Sequence, residues 1–364
     1  MKKIIGFIYI LTLTFVLFSM TTVKGASNTF NIDGIAYEQT SETEVEVRIA
    51  KKDLKSIIIP SKVNNKDVEY TVTSIYKSAF DSCVDLENLS LPNTIKSIGG
   101  SAFRSCKKLT EIIIPNSVTS IEWSAFSGCE SLTKIVLSSR ITEIGEYFFY
   151  GCKKLESVTI PEGVKTIGKA AFRGCDRLKS IVIPNTVESI GEEAFHFCSS
   201  LSSVTLSKKI TVIGKDTFNS CDSLTSIVIP KGVTTIGVSA FEGCTNLSSV
   251  NIPRSVTTIG DLAFASCVNL TSVEIPKNVA YMGISVFNLC YHLVIHCEAE
   301  TQPSEWHEKW NLSKCQVEWG HEMPQDVVIL PENKTGVIVI IIGIVVISTV
   351  CVTTIRRKKN KKRK

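Results

Sequence analysis

The chain has 364 residues, a formal charge of +5 and 13 cysteines. Its positive charge is concentrated at the two ends, with eight basic residues among the last nine and three lysines at positions 2, 3 and 24. Without those ends the charge of +5 becomes −6. The central part therefore lacks the basic surface that nucleic-acid binding requires, and we expect no nucleic-acid partner.

The segment 1–25 has the features of a secretory signal peptide. Lys2 and Lys3 precede an apolar run over 4–18, and Val23 and Gly25 are small residues at the −3 and −1 positions of a cleavage site. Residues 26–53 follow as an N-terminal cap. This cap alternates polar and apolar residues, and its Asp33-Gly34 pair predicts the turn of a β-hairpin.

Ten cysteines recur at every twenty-third position, and a phenylalanine stands three positions before each. A fixed period of this length predicts a solenoid, in which each repeat forms one coil stacked on the next. The unit reads I-G-x-x-A-F-x-x-C-x-x-L-x-x-V-x-I-P-x-x-V-x-x. Alternate β-branched residues after the leucine predict a short strand, and the glycine is expected at a tight bend. The cysteines are Cys83, Cys106, Cys129, Cys152, Cys175, Cys198, Cys221, Cys244, Cys267 and Cys290.

This unit closely resembles the BspA-like, or Treponema-type, leucine-rich repeats of bacterial and protist surface proteins. The resemblance covers 54–297, about eleven coils, and implies a β-rich leucine-rich-repeat solenoid with caps at both ends. The departures are few: Ser138 and Ser207 replace proline, Phe148 and Thr217 replace alanine, and Glu122 replaces glycine.

The ten repeated cysteines are expected to form a reduced, buried ladder, because they occupy equivalent positions beside apolar residues. Cys297 and Cys315 lie outside this ladder, and they could either form a disulfide or remain reduced. His296, His307 and His321 are near them, but their spacing matches no compact zinc pattern, so we expect no metal and no cofactor.

The C-terminal part is predicted as four consecutive segments. A cap over 298–322 would close the solenoid with Trp306, Trp310 and Trp319, and a stalk follows over 323–336. Residues 337–355 carry no charge and predict a single transmembrane helix, and the basic tail 356–364 predicts that the N-terminal ectodomain lies outside the cell.

The segment 330–336, Leu-Pro-Glu-Asn-Lys-Thr-Gly, also resembles a sortase signal of the form Leu-Pro-x-Thr-Gly. Two extra residues precede Thr335 and Gly336, which departs from that form. Covalent attachment to the cell wall is therefore an alternative to retention in the membrane.

No catalytic constellation stands out, and we predict a binding protein rather than an enzyme. The outward strand positions four residues after the repeat leucine form the candidate binding face. An extracellular protein or glycan would dock there. The resemblance implies adhesin-like binding of host matrix, host cells or other microbes; the alternative is a structural envelope protein without a specific ligand. The face comprises Ile113, Val136, Thr159, Val182, Thr205 and Val228.

Overall fold

A computed structural model describes residues 28–323 of the chain. The predicted signal peptide, transmembrane helix, basic tail and sorting site at Thr335 and Gly336 lie outside the described residues, as does nearly all of the stalk. The described part is a β-solenoid of about twelve turns. It contains no helix of the length and hydrophobicity needed to cross a membrane.

The strands are short and follow the repeat. The N-terminal strands are β1 (Thr29–Ile32), β2 (Ile35–Gln39), β3 (Glu44–Ala50), β4 (Ser56–Ile58), β5 (Lys62–Asn65) and β6 (Val68–Ile75). The central strands are β7 (Asn88–Ser90), β8 (Ser97–Ile98), β9 (Glu111–Ile113), β10 (Ser120–Ile121), β11 (Lys134–Val136), β12 (Glu143–Ile144), β13 (Thr166–Ile167), β14 (Ser180–Val182), β15 (Ser189–Ile190), β16 (Ser203–Thr205) and β17 (Val212–Ile213). The C-terminal strands are β18 (Ser226–Val228), β19 (Thr235–Ile236), β20 (Ser249–Asn251), β21 (Thr258–Ile259), β22 (Ser272–Ile275), β23 (Tyr281–Met282), β24 (Val294–Cys297) and β25 (Gln316–Trp319).

The strands build two sides of each coil. The major row contains the strands that follow the repeat leucine: β4, β7, β9, β11, β14, β16, β18, β20, β22, β24 and β25. The minor row runs from β6 through the two-residue strands to β23. All pairs within the rows are parallel, and each paired repeat strand meets the equivalent position of the neighbouring coil, as when Ile135 of β11 lies opposite Ile112 of β9. Strands β1, β2 and β3 add an antiparallel N-terminal cap.

The third side of each coil, around the Ala-Phe pair, is made of turns instead of strands. Alternate amides donate to the next coil, as from Phe172 N to the carbonyl of Ala194 at 2.8 Å, while Cys175 N closes a turn onto Phe172 O at 3.1 Å. The residues two before and two after each phenylalanine have positive φ, for example Ala170 at 50° and Gly174 at 70°. The alternating sign of φ points the backbone amides and carbonyls toward the adjacent coils. These groups are therefore hydrogen-bonded although this side contains no strand.

Stacked aromatic rings form the axis of the core. The repeat phenylalanines, from Phe80 to Phe287, are fully buried, and neighbouring rings lie 5.2–5.9 Å apart. Trp310 ends the column edge-on against Phe287, with ring centroids 6.4 Å apart. Trp306 is also buried, and its indole nitrogen donates to Val279 O at 2.9 Å. These two tryptophans therefore cover the C-terminal end of the core.

The repeat glycine stands at the predicted bend, as where Ala240 N closes a turn onto Gly237 O at 3.3 Å, and it also allows a close approach between coils. The Ile-Gly glycines do not adopt positive φ; instead their Cα atoms lie close to the backbone of the preceding coil. A Cβ at Gly191 would lie 2.5 Å from Lys169 N, and one at Gly168 would lie 2.6 Å from Glu146 N. Both distances are too short for non-bonded atoms, so it is the stacking of the coils, and not a positive φ at the bend, that requires glycine here.

Two details differ from the sequence-based expectation. The solenoid has about twelve turns instead of eleven, because β25, within the predicted cap, pairs in parallel with β24 and extends the major row. Conversely, residues 157–159 form no strand, so the major row is interrupted between β11 and β14. The same coil contains Phe148, whose ring lies 4.8 Å from that of Phe149.

Candidate binding face

The candidate binding face is the solvent side of the major row. Strand pairing aligns one outward side chain per coil into a column: Ile113 lies opposite Val136, Val182 opposite Thr205, and Val228 opposite Asn251. All six predicted residues of the face lie at the surface, including Thr159 in the coil without a strand. Their neighbours in sequence point into the core, which is the alternation expected of a strand with one buried side.

The apolar members of this column are unusually open to solvent. Ile113 is 69% exposed, Val182 is 64% exposed and Val228 is 74% exposed. Burying such side chains against a ligand would be favourable by about 25 cal/mol for each Å² of apolar surface removed from water. This row of β-branched side chains is exposed in the isolated chain, and burying it against a ligand would stabilise the complex.

Two shallow grooves follow the column on either side of the interrupted coil. The N-terminal groove has a volume of about 440 Å³ and includes Ile58, Ile113 and Val136. The C-terminal groove has a volume of about 800 Å³ and includes Thr205 and Val228. The face is thus divided into two surfaces, one at each end of the array.

The column is longer than the sequence analysis predicted. Ile58 on β4 is 76% exposed and lies opposite Ser90, so it begins the column one coil earlier. Residues 54–60 read Leu-Lys-Ser-Ile-Ile-Ile-Pro, a partial copy of the repeat, and Ile58 stands four residues after Leu54 as the other column residues stand after their leucines. Beyond Asn251 the column becomes polar: Glu274, His296 and Glu318 continue it across β22, β24 and β25.

The repeated cysteines are free thiols in a structural role. The first, Cys83, begins the ladder; each of the other nine donates to the carbonyl oxygen of the phenylalanine 26 residues earlier, at 3.1–3.3 Å. Burial raises the pKa of Cys152 and of Cys244 to about 12. A nucleophilic or metal-binding cysteine needs the thiolate form, so the environment of these thiols opposes such chemistry.

The disulfide considered between Cys297 and Cys315 is not formed. Both residues are free thiols, and Cys297 lies opposite Trp319, four positions beyond Cys315. Four strand residues span about 13 Å, which exceeds the Cα separation of about 7 Å that a disulfide tolerates. Cys315 instead extends the thiol ladder, because its Sγ contacts Cys290 O at 3.3 Å.

Of the three histidines near the C-terminal cap, the structure brings two together. His296 and His321 have ring centroids 4.7 Å apart, and Glu318 lies beside them. His307 lies apart from this pair: its amide donates to Met282 O, and its Nδ1 accepts from Lys309 N.

The fold and the face define a leucine-rich-repeat scaffold, and comparison with known proteins gives its family. Six copies of the BspA type leucine rich repeat region match residues 73–180 and 165–294. The chain therefore belongs to the BspA-type leucine-rich repeat family. This fold is typically a non-enzymatic binding scaffold, and the match indicates no catalytic family.

Solved structures include similar proteins. A leucine-rich repeat protein from Bacteroides ovatus is 32% identical with a TM-score of 0.63, and the match covers 80% of this chain and 71% of that one. A leucine rich cell surface protein from Faecalibacterium prausnitzii is 25% identical with a TM-score of 0.47, covering 77% of this chain and 97% of that one. No curated protein matches the chain.

Proposed function

We propose that this chain is a cell-surface interaction protein that captures an extracellular protein or glycan on the major row. The column of exposed apolar side chains is the observation that supports this proposal most directly. Single exposed apolar residues are ordinary, but Ile58, Ile113, Val136, Val182 and Val228 occupy one repeat position on one face.

The proposed location follows from the two ends of the sequence. A signal peptide over 1–25 would export the chain, and an apolar span over 337–355 with a basic tail would hold it in the membrane with the solenoid outside. An adhesin-like role against host matrix, host cells or other microbes fits such a display. Cleavage after Thr335 is the alternative, and mass spectrometry of the mature C-terminus distinguishes the two.

Binding is tested with the full-length chain displayed on cells and applied to immobilised collagen, fibronectin, laminin and purified surface glycans. Replacing Val136, Val182 and Val228 together by lysine should lower retention on the bound probe by at least ~10-fold, because charged groups would have to be desolvated in the interface.

The matched control replaces Val212, Val238 and Val268 by lysine. These valines are also exposed but lie off the column, and Val212 is 45% exposed against 44% for Val136. Retention of the control should stay within about twofold of the original chain. Equal loss in both variants would contradict the face assignment. Absence of binding by the original chain to every probe would favour the alternative, a structural envelope protein.

A further inference from the structure

Two histidines and a glutamate converge where the major row ends. His296 on β24 lies directly opposite Glu318 on β25, both on the solvent side of the sheet. His321 is brought back to them after Gly320, whose φ is +70°, and its amide donates to Cys297 O at 2.9 Å. One ligand atom from each of the three side chains lies within 4.8 Å of the other two.

His296 and Glu318 contact each other through one imidazole nitrogen and one carboxylate oxygen. Nδ1 of His296 is shielded from solvent and lies 2.9 Å from Oε2 of Glu318, at ion-pair distance but without the geometry of a hydrogen bond. A shielded nitrogen is normally hydrogen-bonded, and this one has only the Glu318 carboxylate beside it. A cation held between the nitrogen and the carboxylate would satisfy both atoms.

We propose that His296, Glu318 and His321 bind a divalent transition-metal ion of the zinc type. Two imidazoles and one carboxylate suit Zn²⁺, whereas Ca²⁺ and Mg²⁺ prefer sites made of oxygen atoms. Ligand bonds of about 2.0–2.2 Å would bring the three atoms to about 3.4 Å from one another. The 2.9 Å between His296 Nδ1 and Glu318 Oε2 would widen slightly to reach this spacing, and the exposed side chain of Glu318 can make that adjustment.

Three protein ligands leave the fourth position of a tetrahedral ion open to solvent. His296 and Glu318 continue the column that runs through Val228, Asn251 and Glu274, so the ion would sit at one end of the candidate binding face. This site does not depend on the proposed function, because it needs no external protein. Sequence spacing could not reveal it, since only the pairing of β24 with β25 brings Glu318 beside His296.

The test uses the purified full-length chain after removal of metal by a chelator. Titration with ZnCl₂, followed by calorimetry, should give one bound ion per chain. His296→Ala and Glu318→Gln should each weaken binding by more than ~100-fold, because losing a ligand exceeds the 10–100-fold effect of outer-shell changes. His292→Ala is the matched control: this histidine is exposed, precedes β24 and lies outside the cluster, so its loss should change affinity less than twofold.

Cobalt(II) as a second probe identifies the ligands. Binding at the proposed site should give visible d–d absorption without a thiolate-to-metal charge-transfer band, and His321→Ala should abolish the absorption while thermal unfolding of the metal-free variant remains cooperative. A thiolate band would assign the metal to cysteines and overturn the proposal. Unchanged affinity in His296→Ala, equal affinity for CaCl₂, or an equal loss in His292→Ala would overturn it as well.

Discussion

The thiol of Cys221 donates to the carbonyl oxygen of Phe195, 26 residues earlier in the chain, across 3.2 Å. The donor fills apolar space in one coil, and the acceptor belongs to the turn side of the preceding coil. Each such bond therefore joins two coils at the place where no strand connects them. It also requires a protonated sulfur, which links the stability of the solenoid to pH.

Alkaline pH should unfold this chain steeply. Burial raises the pKa of Cys244 and of Cys290 to about 12, from 9.0 for an ordinary thiol. Because the neutral form is favoured in the folded state, the full stabilisation is present below pH 9 and is lost as the pH rises from 9 to 12. One pH unit above the unfolded pKa, each such thiol costs about 1.4 kcal/mol of unfolding free energy.

Urea unfolding at pH 7, 8, 9 and 10 measures this effect. Replacing Cys198 and Cys221 by alanine should lower the unfolding free energy at pH 7. The decrease in unfolding free energy between pH 7 and pH 10 should, however, be about 3 kcal/mol smaller in the variant than in the original chain. An identical pH dependence in the variant and the original chain would show that the thiols do not cause the loss.

Two equivalent glycines should respond differently to alanine. A Cβ at Gly191 would lie 2.5 Å from Lys169 N, whereas one at Gly214 would meet its nearest neighbour, Thr217 Oγ1, at 3.5 Å. We expect Gly191→Ala to reduce the unfolding free energy by about 1–3 kcal/mol through overpacking, and Gly214→Ala to change it by less than about 1 kcal/mol. Urea unfolding of both variants measures the difference, and similar losses would contradict the close-approach explanation.

The serine that replaces proline at position 138 should contribute through its hydroxyl. Ser138 is buried; its Oγ donates to Val118 O at 2.6 Å and accepts from Arg140 N at 3.2 Å. Ser138→Ala leaves both backbone groups without this partner and should cost about 1–3 kcal/mol. The exposed neighbour Ser139 supplies the control, since Ser139→Ala should change thermal stability by less than about 0.5 kcal/mol. If the two variants melt together, the buried hydroxyl has no such role.

Native thiols should react slowly, with one exception. Among the cysteines of residues 28–323, only Cys315 is not fully buried. In a Cys351→Ser background, which removes the thiol of the predicted span, a thiol-specific chromogenic reagent should label Cys315 first and the ladder only after denaturation. Peptide mapping identifies the labelled site. Rapid labelling of ladder cysteines in the native chain would refute their burial.

The repeat predicted most of this fold because its signals are local and recur in every coil. The cysteine and phenylalanine periods placed the core, and the strand alternation placed Val182 and Val228 on the outer face, where they are exposed. The bend at the glycines is present, but the requirement for glycine itself comes from the neighbouring coil. In Gly191 the constraint is a backbone atom of Lys169 in the preceding coil, which no local pattern reports.

The candidate binding face could be predicted because it follows the repeat, whereas the cluster of His296, Glu318 and His321 could not. Glu318 and His321 lie in the cap, outside the regular spacing, and β25 supplies the register that brings them to His296. The separation of Cys297 from Cys315 depends on the same register. A sequence shows that residues are near each other along the chain, whereas strand pairing decides which of them meet.

The stacking distance of the phenylalanine rings is nearly constant from Phe80 to Phe287, and each coil contacts mainly the coils beside it. Removing or duplicating one whole repeat unit would preserve every kind of contact, whereas inserting or deleting a single amino acid would shift the register of all that follow. The length of the solenoid can therefore change through gain or loss of whole repeats, in steps of one coil of about 5 Å each, while both caps stay unchanged.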